Sequence, residues 1–307
     1  MSAVMNDLPS LIAWAMQYEA ANGCRPKLRV SVSGGRTSMF MAKWCKENLG
    51  PYFDTLFMFA NTSREHADTY RFLEAGDKAF GLGLTLIEAV VNRTAVAAKA
   101  CSGKVVGYSE LRKDGSIFRE VCAAYGLPNQ TFKLCTRELK TNPMDKFAES
   151  VGFGDALVAI GIRADETRRV SKSATKNRLI YPLVDFVPTT KLDVLEFFEQ
   201  FDWDLRIPEQ DGNCVDCHKK SDRKLQAVYM ATPEVFDWSQ QLDDDFKTVG
   251  PNSIAGVRVD EPRKRWRGYR DTRELLDALR SASYHPLAIT DGGCSESCEV
   301  YETEEVA

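Results

Sequence analysis

The chain has 307 residues, 44% of them hydrophobic, with 40 Lys and Arg against 44 Asp and Glu for a formal net charge of −4. That length and apolar fraction suit one large domain or a core with an appendage and exclude wholesale disorder. The slight acidity excludes a global attraction to nucleic acid, so any such contact must come from a local patch.

At the start, Asp7 and the lack of an apolar core followed by small residues do not read as a signal peptide, and no apolar run approaches the ~20 residues of a membrane helix. The expectation is a cytoplasmic protein without membrane contact. Apolar spacing at Leu8, Leu11, Ile12, Ala15 and Met16 predicts a packing helix over 8–22. Short apolar runs at 28–33, 55–60, 84–90, 156–162 and 179–184 then read as buried strands, with amphipathic helices at 38–49, 64–80, 138–151 and 190–201. Strands alternating with helices imply βαβ units: an α/β fold, a doubly wound parallel sheet with helices on both faces. Pro208, Gly212 and a close cysteine pair break this rhythm, and helices dominate beyond it. The expected organisation is an N-terminal helical segment (1–26), a nucleotide-binding α/β domain (27–210), a Cys-x-x-Cys loop with a helical C-terminal region (211–290), and a mobile acidic tail (291–307) rich in Gly, Ser and Glu.

The first strand runs into Ser33-Gly34-Gly35-Arg36-Thr37-Ser38 and then a helix. Two glycines let backbone approach an anion, N–H groups at the helix start hold it, and Ser33, Thr37 and Ser38 add hydroxyls while Arg36 adds a planar charge. A tight β–α turn would be the plain alternative. The loop lacks both the Gly-x-Gly-x-x-Gly of dinucleotide folds and the Gly-Lys-Ser ending of Walker loops. Asn61 and Thr62, at the carboxyl end of the second strand, are either ligand-facing polar groups or a helix N-cap.

The hexapeptide resembles the PP-loop of the adenine nucleotide α-hydrolase superfamily, usually Ser-Gly-Gly-Lys-Asp-Ser, from which it departs at Arg36 and Thr37. Further segments resemble phosphoadenosine-phosphosulfate (PAPS) reductases in the same order: Phe59-Ala60-Asn61-Thr62-Ser63 with His66, Thr69, Tyr70 and Phe72; Cys135-Thr136-Arg137-Glu138-Leu139-Lys140 with Pro143; Gly161-Ile162-Arg163-Ala164-Asp165-Glu166; and Gly212-Asn213-Cys214-Val215-Asp216-Cys217. They cover about residues 28–220 and are most similar to the PAPS-reductase-like proteins of phages and mobile elements. The resemblance implies a Rossmann-like, adenine nucleotide α-hydrolase-like fold, ATP (with Mg2+) or a PAPS-type nucleotide in the loop, Asn61 and Thr62 beside the adenosine, and Arg36, Lys140 and Arg163 as catalytic cations facing phosphate or sulfate. A homodimer is compatible with it.

Nine cysteines, unevenly spaced and without a secretion signal, suggest thiols or metal ligands rather than a disulfide framework. Cys24, Cys45, Cys101 and Cys122, scattered singly, read as small buried hydrophobes. Cys214 and Cys217 can grip one metal or cluster edge. By resemblance to reductases of the adenylylsulfate type, Cys135 is the natural third ligand of a [4Fe–4S] cluster, and Leu134 stands where a fourth cysteine would be. Three cysteines leave one iron without a protein thiolate, an arrangement found in tRNA 2-thiolation enzymes. Zinc with His218, Cys294 or Cys298 as fourth ligand competes, as does a redox dithiol. Cys294 and Cys298 do not match the Glu-Cys-Gly-Leu-His tail of PAPS reductases.

Arg258, Arg263, Lys264, Arg265, Arg267, Arg270 and Arg273, interleaved with Trp266 and Tyr269, are what tRNA or single-stranded nucleic acid contacts; acidic partners within the chain explain them equally. Arg168, Arg169, Lys172, Lys176 and Arg178 form a second basic stretch, a candidate lid over phosphates. Three functions follow: an ATP-dependent sulfur-transfer enzyme, a PAPS or adenylylsulfate reductase releasing sulfite, or a nucleotide- or nucleic-acid-binding phage protein without turnover.

Overall fold

The computed structural model describes residues 7–92, 101–212, 214–250 and 260–284. Strands β1 (Lys27–Ser31), β2 (Asp54–Asn61), β3 (Thr85–Val90), β4 (Ser102–Val106), β5 (Leu157–Ala159) and β6 (Leu179–Ile180) stand in the order β4-β3-β2-β1-β5-β6. All neighbouring pairs are parallel except β3 with β4. The helices are α1 (Leu8–Asn22), α2 (Arg36–Asn48), α3 (Ala67–Phe80), α4 (Ser116–Tyr125), α5 (Asn142–Ser150), α6 (Lys191–Glu199), α7 (Asp222–Ala231), α8 (Val235–Phe246) and α9 (Thr272–Ser281).

Side chains alternate across a pleated strand, and β2 shows where each set goes. Phe57 and Phe59 join a core with Leu11, Met39, Leu73 and Phe198 from α1, α2, α3 and α6. Met58 and Ala60 point the other way, onto Met144 and Ala148 of α5. Both faces of the sheet are therefore covered, as the continuous apolar runs imply. The fold is the expected α/β arrangement, with α7, α8 and α9 forming the helical C-terminal region around Leu225, Phe236, Trp266 and Leu275.

Three elements differ from the sequence expectation. The strand expected over 179–184 ends at Ile180, because Pro182 has no N–H for a ladder and instead starts the helical turn Pro182–Asp185. The helix expected over 138–151 begins with a π-helical stretch, Arg137–Thr141, before α5. Edge strand β4, largely exposed and reading Ser-Gly-Lys-Val-Val, carries no apolar alternation to betray it.

The basic stretch before α9 is a brace. Arg267 and Arg270 pair with Asp222 at 2.9 and 2.8 Å, Lys264 with Glu274 at 2.6 Å and Arg273 with Asp244 at 3.1 Å. Trp266 is buried against the fold, whereas Tyr269 and Arg273 of the same stretch are exposed. Arg258 lies outside the described residues.

Deepest in this brace is Asp216, fully buried with Arg265 at 3.4 Å and Arg64 at 3.1 Å and accepting a hydrogen bond from the Ser239 hydroxyl. Burial alone would raise its carboxyl pKa, but the two guanidiniums outweigh that and hold it well below the usual carboxylate range. Its contribution to stability is thus present above the unfolded value, about pH 4, and lost as pH falls from there toward the folded value. Replacing Asp216 by Asn leaves Arg265 buried and uncompensated. It should cost about 3–5 kcal/mol at pH 7 in denaturant unfolding and flatten the acid limb below about pH 4. An unchanged acid limb would contradict this role.

Candidate functional site

The strand order reverses at β1. Succession runs outward through β2 and β3 on one side, whereas β5 and β6 lie on the other. Loops leaving β1 and β5 therefore diverge, and the crevice between them at the strands' carboxyl ends is where open α/β sheets take ligands. The loop 32–35 and the first turn of α2 form one wall of that crevice, and Gly161 and Arg163 form the other.

Gly34 has φ +87°, and a Cβ there would meet Thr69 Cγ2 at 2.5 Å, so both conformation and space require glycine. Ser38 staples the turn: its hydroxyl accepts from Ser33 N–H at 3.0 Å and donates to the Gly35 carbonyl at 2.9 Å. Gly35 is the N-cap of α2, and no side chain caps the helix. The N–H groups of its first turn thus open into the crevice with the positive end of the helix dipole, a ready seat for an anion.

Arg163 comes from the loop after β5. Its guanidinium donates to Thr37 Oγ1 at 3.2 Å and to Asp165 at 2.9 Å, which spans the crevice and fixes the charge beside the glycine loop. Arg169, at the end of the 3-10 turn Ala164–Arg169, also borders the crevice and pairs with Glu166 at 2.8 Å. Arg36 borders the crevice as well and has partners within the chain. It forms a two-pronged pair with Asp204 at 2.7 and 2.8 Å and donates to the Leu205 carbonyl, so it latches the 204–207 segment over the crevice mouth. Arg178 reaches Gly154 O at 2.7 Å and does not border the crevice, which limits the basic lid to Arg169.

A second, smaller cavity adjoins the carboxyl end of β2. Cys135, Cys214 and Cys217 all border it, with Thr62, Lys140, His218 and Arg265. Cys135 is carried by the helical turn Leu134–Thr136, and Lys140 by the π-helical stretch after it. The other two thiols sit on the loop pinned by Asp216; Cys214 pairs with Glu65 through a backbone β-bridge, and its sulfur lies 3.4 Å from Thr62 Oγ1. Gly212 borders the phosphate crevice and Cys214, two residues on, borders the thiol cavity. One short loop thus joins the two sites.

The donor set suits a thiolate-bound metal group in its chemistry. Besides three sulfurs, the cavity has His218, 1% exposed, whose Nε2 finds no hydrogen-bond partner among the described residues while its ring bonds to the Asn129 backbone. Burial, helped by Arg265, Lys219 and Arg267, pushes the imidazole well below its ordinary pKa and keeps it neutral. Among the described residues, however, no three His, Cys, Asp or Glu side chains are drawn together tightly enough to hold a single ion.

Several expected residues are placed elsewhere. Asn61 donates to Glu88 and the Arg112 carbonyl and accepts from Ser63 N–H and Tyr70, which commits its amide to joining β2, β3 and α3. Thr62 and Lys140 border the thiol cavity rather than the phosphate crevice. Cys45, Cys101 and Cys122 are buried, their thiol pKa values raised by that burial, to about 12 for Cys101, whereas Cys24 is exposed. Asn213, Cys294, Cys298 and the 291–307 tail lie outside the described residues. Thr69 and Glu166 lie in segments that carry the resemblance, which gives them no role of their own; both border the crevice, Thr69 through the packing of α3.

Fold and site define an α/β protein with a crevice at its switch point, lined by the glycine loop and two arginines from the opposite wall, and a thiol cavity beside it. The chain is 30% identical over 295 residues, covering 89% of it and 94% of the relative, to the "Uncharacterized nin region protein ORF290" of Escherichia phage lambda, and it belongs to that phage protein's family. No family model matches. Among solved structures it is similar to the phosphoadenylyl-sulfate (PAPS) reductase of Candida auris in a phosphate complex (TM-score 0.38, 11% identity, 65% of this chain and 88% of that one). It is also similar to the U34-tRNA thiolase NcsA of Methanococcus maripaludis with its [4Fe-4S] cluster (TM-score 0.33, 14% identity, 89% and 78%). Likenesses of that size say nothing of this chain's reaction. No helix among the described residues is long and apolar enough to cross a membrane.

If the crevice seats phosphate, Gly34→Val should abolish ATP binding measured by calorimetry at a backbone cost of about 1–3 kcal/mol in stability. Arg163→Ala should weaken binding by about 1–3 kcal/mol with the fold retained. Unchanged affinity in both folded variants would dismiss the crevice as the nucleotide site.

Proposed function

We propose that this chain is a PP-loop enzyme that binds an adenine nucleotide, ATP or a PAPS-type relative, by its phosphates in the loop 33–38, and that it transfers sulfur at the expense of ATP. The observation that carries this reading is the loop running from Gly212 to Cys217, which borders the phosphate crevice at one end and the thiol cavity at the other. A nucleotide site alone would serve many reactions. A nucleotide site next to three thiols suits chemistry in which sulfur meets a carbon activated by a phosphate.

The chain's residues divide the work. First-turn N–H groups of α2 and the hydroxyls of Ser33, Thr37 and Ser38 hold the phosphates, and Arg163 stabilises charge developing on them. An acceptor's carbonyl oxygen attacks the α-phosphate and pyrophosphate leaves; hydrosulfide from a separate sulfur donor then adds to the activated carbon, and the carbon–oxygen bond breaks as AMP departs with its electron pair, because an adenylated oxygen is a far better leaving group than hydroxide. Cys135, Cys214 and Cys217 would hold a [4Fe–4S] cluster, with zinc as the competing occupant. When bound, such a cluster supplies a site for the sulfur to be transferred. Lys140, beside the thiols, offers a cation to an anionic sulfur species.

Anaerobically purified protein should be brown and contain iron and acid-labile sulfide, and Cys135→Ser, Cys214→Ser and Cys217→Ser should each lose them. Incubated with ATP and candidate acceptors, tRNA among them, it should form AMP and pyrophosphate. Colourless protein with stoichiometric zinc would reject the cluster. Sulfite released from PAPS or adenylylsulfate, with no AMP formed from ATP, would identify a reductase instead.

A further inference from the structure

One part of the phosphate crevice differs in chemistry from the rest. Glycines, hydroxyls and arginines make up most of its border, and Leu205 and Ile207 are the large apolar side chains that line it among the described residues. Both belong to the 204–207 segment, which is tied to the glycine loop and to α3 together. Arg36 grips the Asp204 carboxylate at 2.7 and 2.8 Å, and Arg71 of α3 donates to the Trp203 and Asp204 carbonyls at 3.0 and 2.6 Å. Asp68 accepts from Arg206 N–H at 2.5 Å, and the Trp203 ring packs 5.6 Å from that of Phe72. Leu205 is 7% exposed and part of the main core, so this apolar surface is fixed before any ligand arrives.

A phosphate gains nothing from such a surface, because its oxygens would give up water against Leu and Ile with no donor in return. A purine base does gain, since its flat faces are apolar. The place that family resemblance reserves for the adenosine is taken: Asn61 is 0% exposed with its amide spent on Glu88 and the Arg112 carbonyl, and Thr62 borders the thiol cavity. With phosphates at the first turn of α2, Leu205 and Ile207 are the lining of the same crevice that suits the remainder of a nucleotide.

Resting on the reading that the crevice takes a nucleotide, we infer that Leu205 and Ile207 form its nucleobase subsite, with the base laid against the 204–207 segment and not beside Asn61 and Thr62. Arg36 then joins the two halves of the site: it belongs to the phosphate loop and, through Asp204, fixes the surface on which the base rests. The subsite makes the nucleoside, and not the phosphate chain alone, count toward affinity.

Calorimetric titration of the full-length protein with ATP and with inorganic tripolyphosphate, at one magnesium concentration, separates base from phosphate. Wild type should bind ATP at least about tenfold more tightly. Ile207→Ala, checked for folding by thermal denaturation, should weaken ATP about five- to tenfold and leave tripolyphosphate within about twofold, and Ile207→Val should recover most of the loss. Photolabelling of wild type with 8-azido-ATP should place the adduct within residues 203–207 on peptide mass spectrometry. The inference is overturned, with the nucleotide reading intact, if wild type binds ATP and tripolyphosphate alike, if Ile207→Ala weakens both or neither, or if the adduct falls at Asn61 and Thr62 or elsewhere. If wild type does not bind ATP, the nucleotide reading and this inference fall together.

Discussion

Everything at the ligand edge depends on the reversal of strand order at β1. Five parallel strands bring their carboxyl ends to one side of the molecule, and the reversal keeps the loops after β1 and β5 from closing over each other. Only glycine at position 34 lets the first loop turn tightly against Thr69. Gly161 lets the second approach, since a Cβ there would sit 3.1 Å from Ser38 Cα. The resulting crevice has hydroxyls and open N–H groups on one wall and Arg163 and Arg169 on the other.

The thiol cavity depends on a different constraint, the buried carboxylate of Asp216. Sitting between Cys214 and Cys217 in the chain, it is clasped by Arg64 from the segment after β2 and by Arg265 from the C-terminal brace. Two thiols thereby border one cavity with Cys135, which arrives on a separate helical turn. The stretch before α9, which adds nothing to the sheet, thus matters to the site by supplying the guanidinium that fixes the cysteine loop. Such a buried pair is weak evidence for stability in itself, since desolvation offsets most of its attraction; what it contributes is position.

Local signals were legible in the sequence, and long-range partnerships were not. The strand, glycine loop and helix start at 28–38 could be read because each is dictated by neighbours within a few residues. Five strands announced themselves as apolar runs, whereas β4, exposed at an edge, had no reason to. Arg36 borders the crevice as its position in the loop suggests, but its pairing with Asp204, 168 residues away, had no local signal. Asn61 looked ligand-facing at a strand end, but Glu88 and Arg112 use its amide. The acidic partners of the basic cluster were out of sight for the same reason: Asp222, Asp244 and Glu274 meet it only after folding. Convergence of Cys135 with Cys214 and Cys217 on one cavity was anticipated through family resemblance, since spacing alone could not have joined residues so far apart.

The central claim is that the crevice between β1 and β5 seats the phosphates of an adenine nucleotide. A crystal structure of the protein with a non-hydrolysable ATP analogue and magnesium tests it most directly. Phosphate density is expected against the N–H groups of residues 34–38, within reach of Arg163. Density for the nucleotide at any other place on the molecule, with this crevice empty, would contradict it.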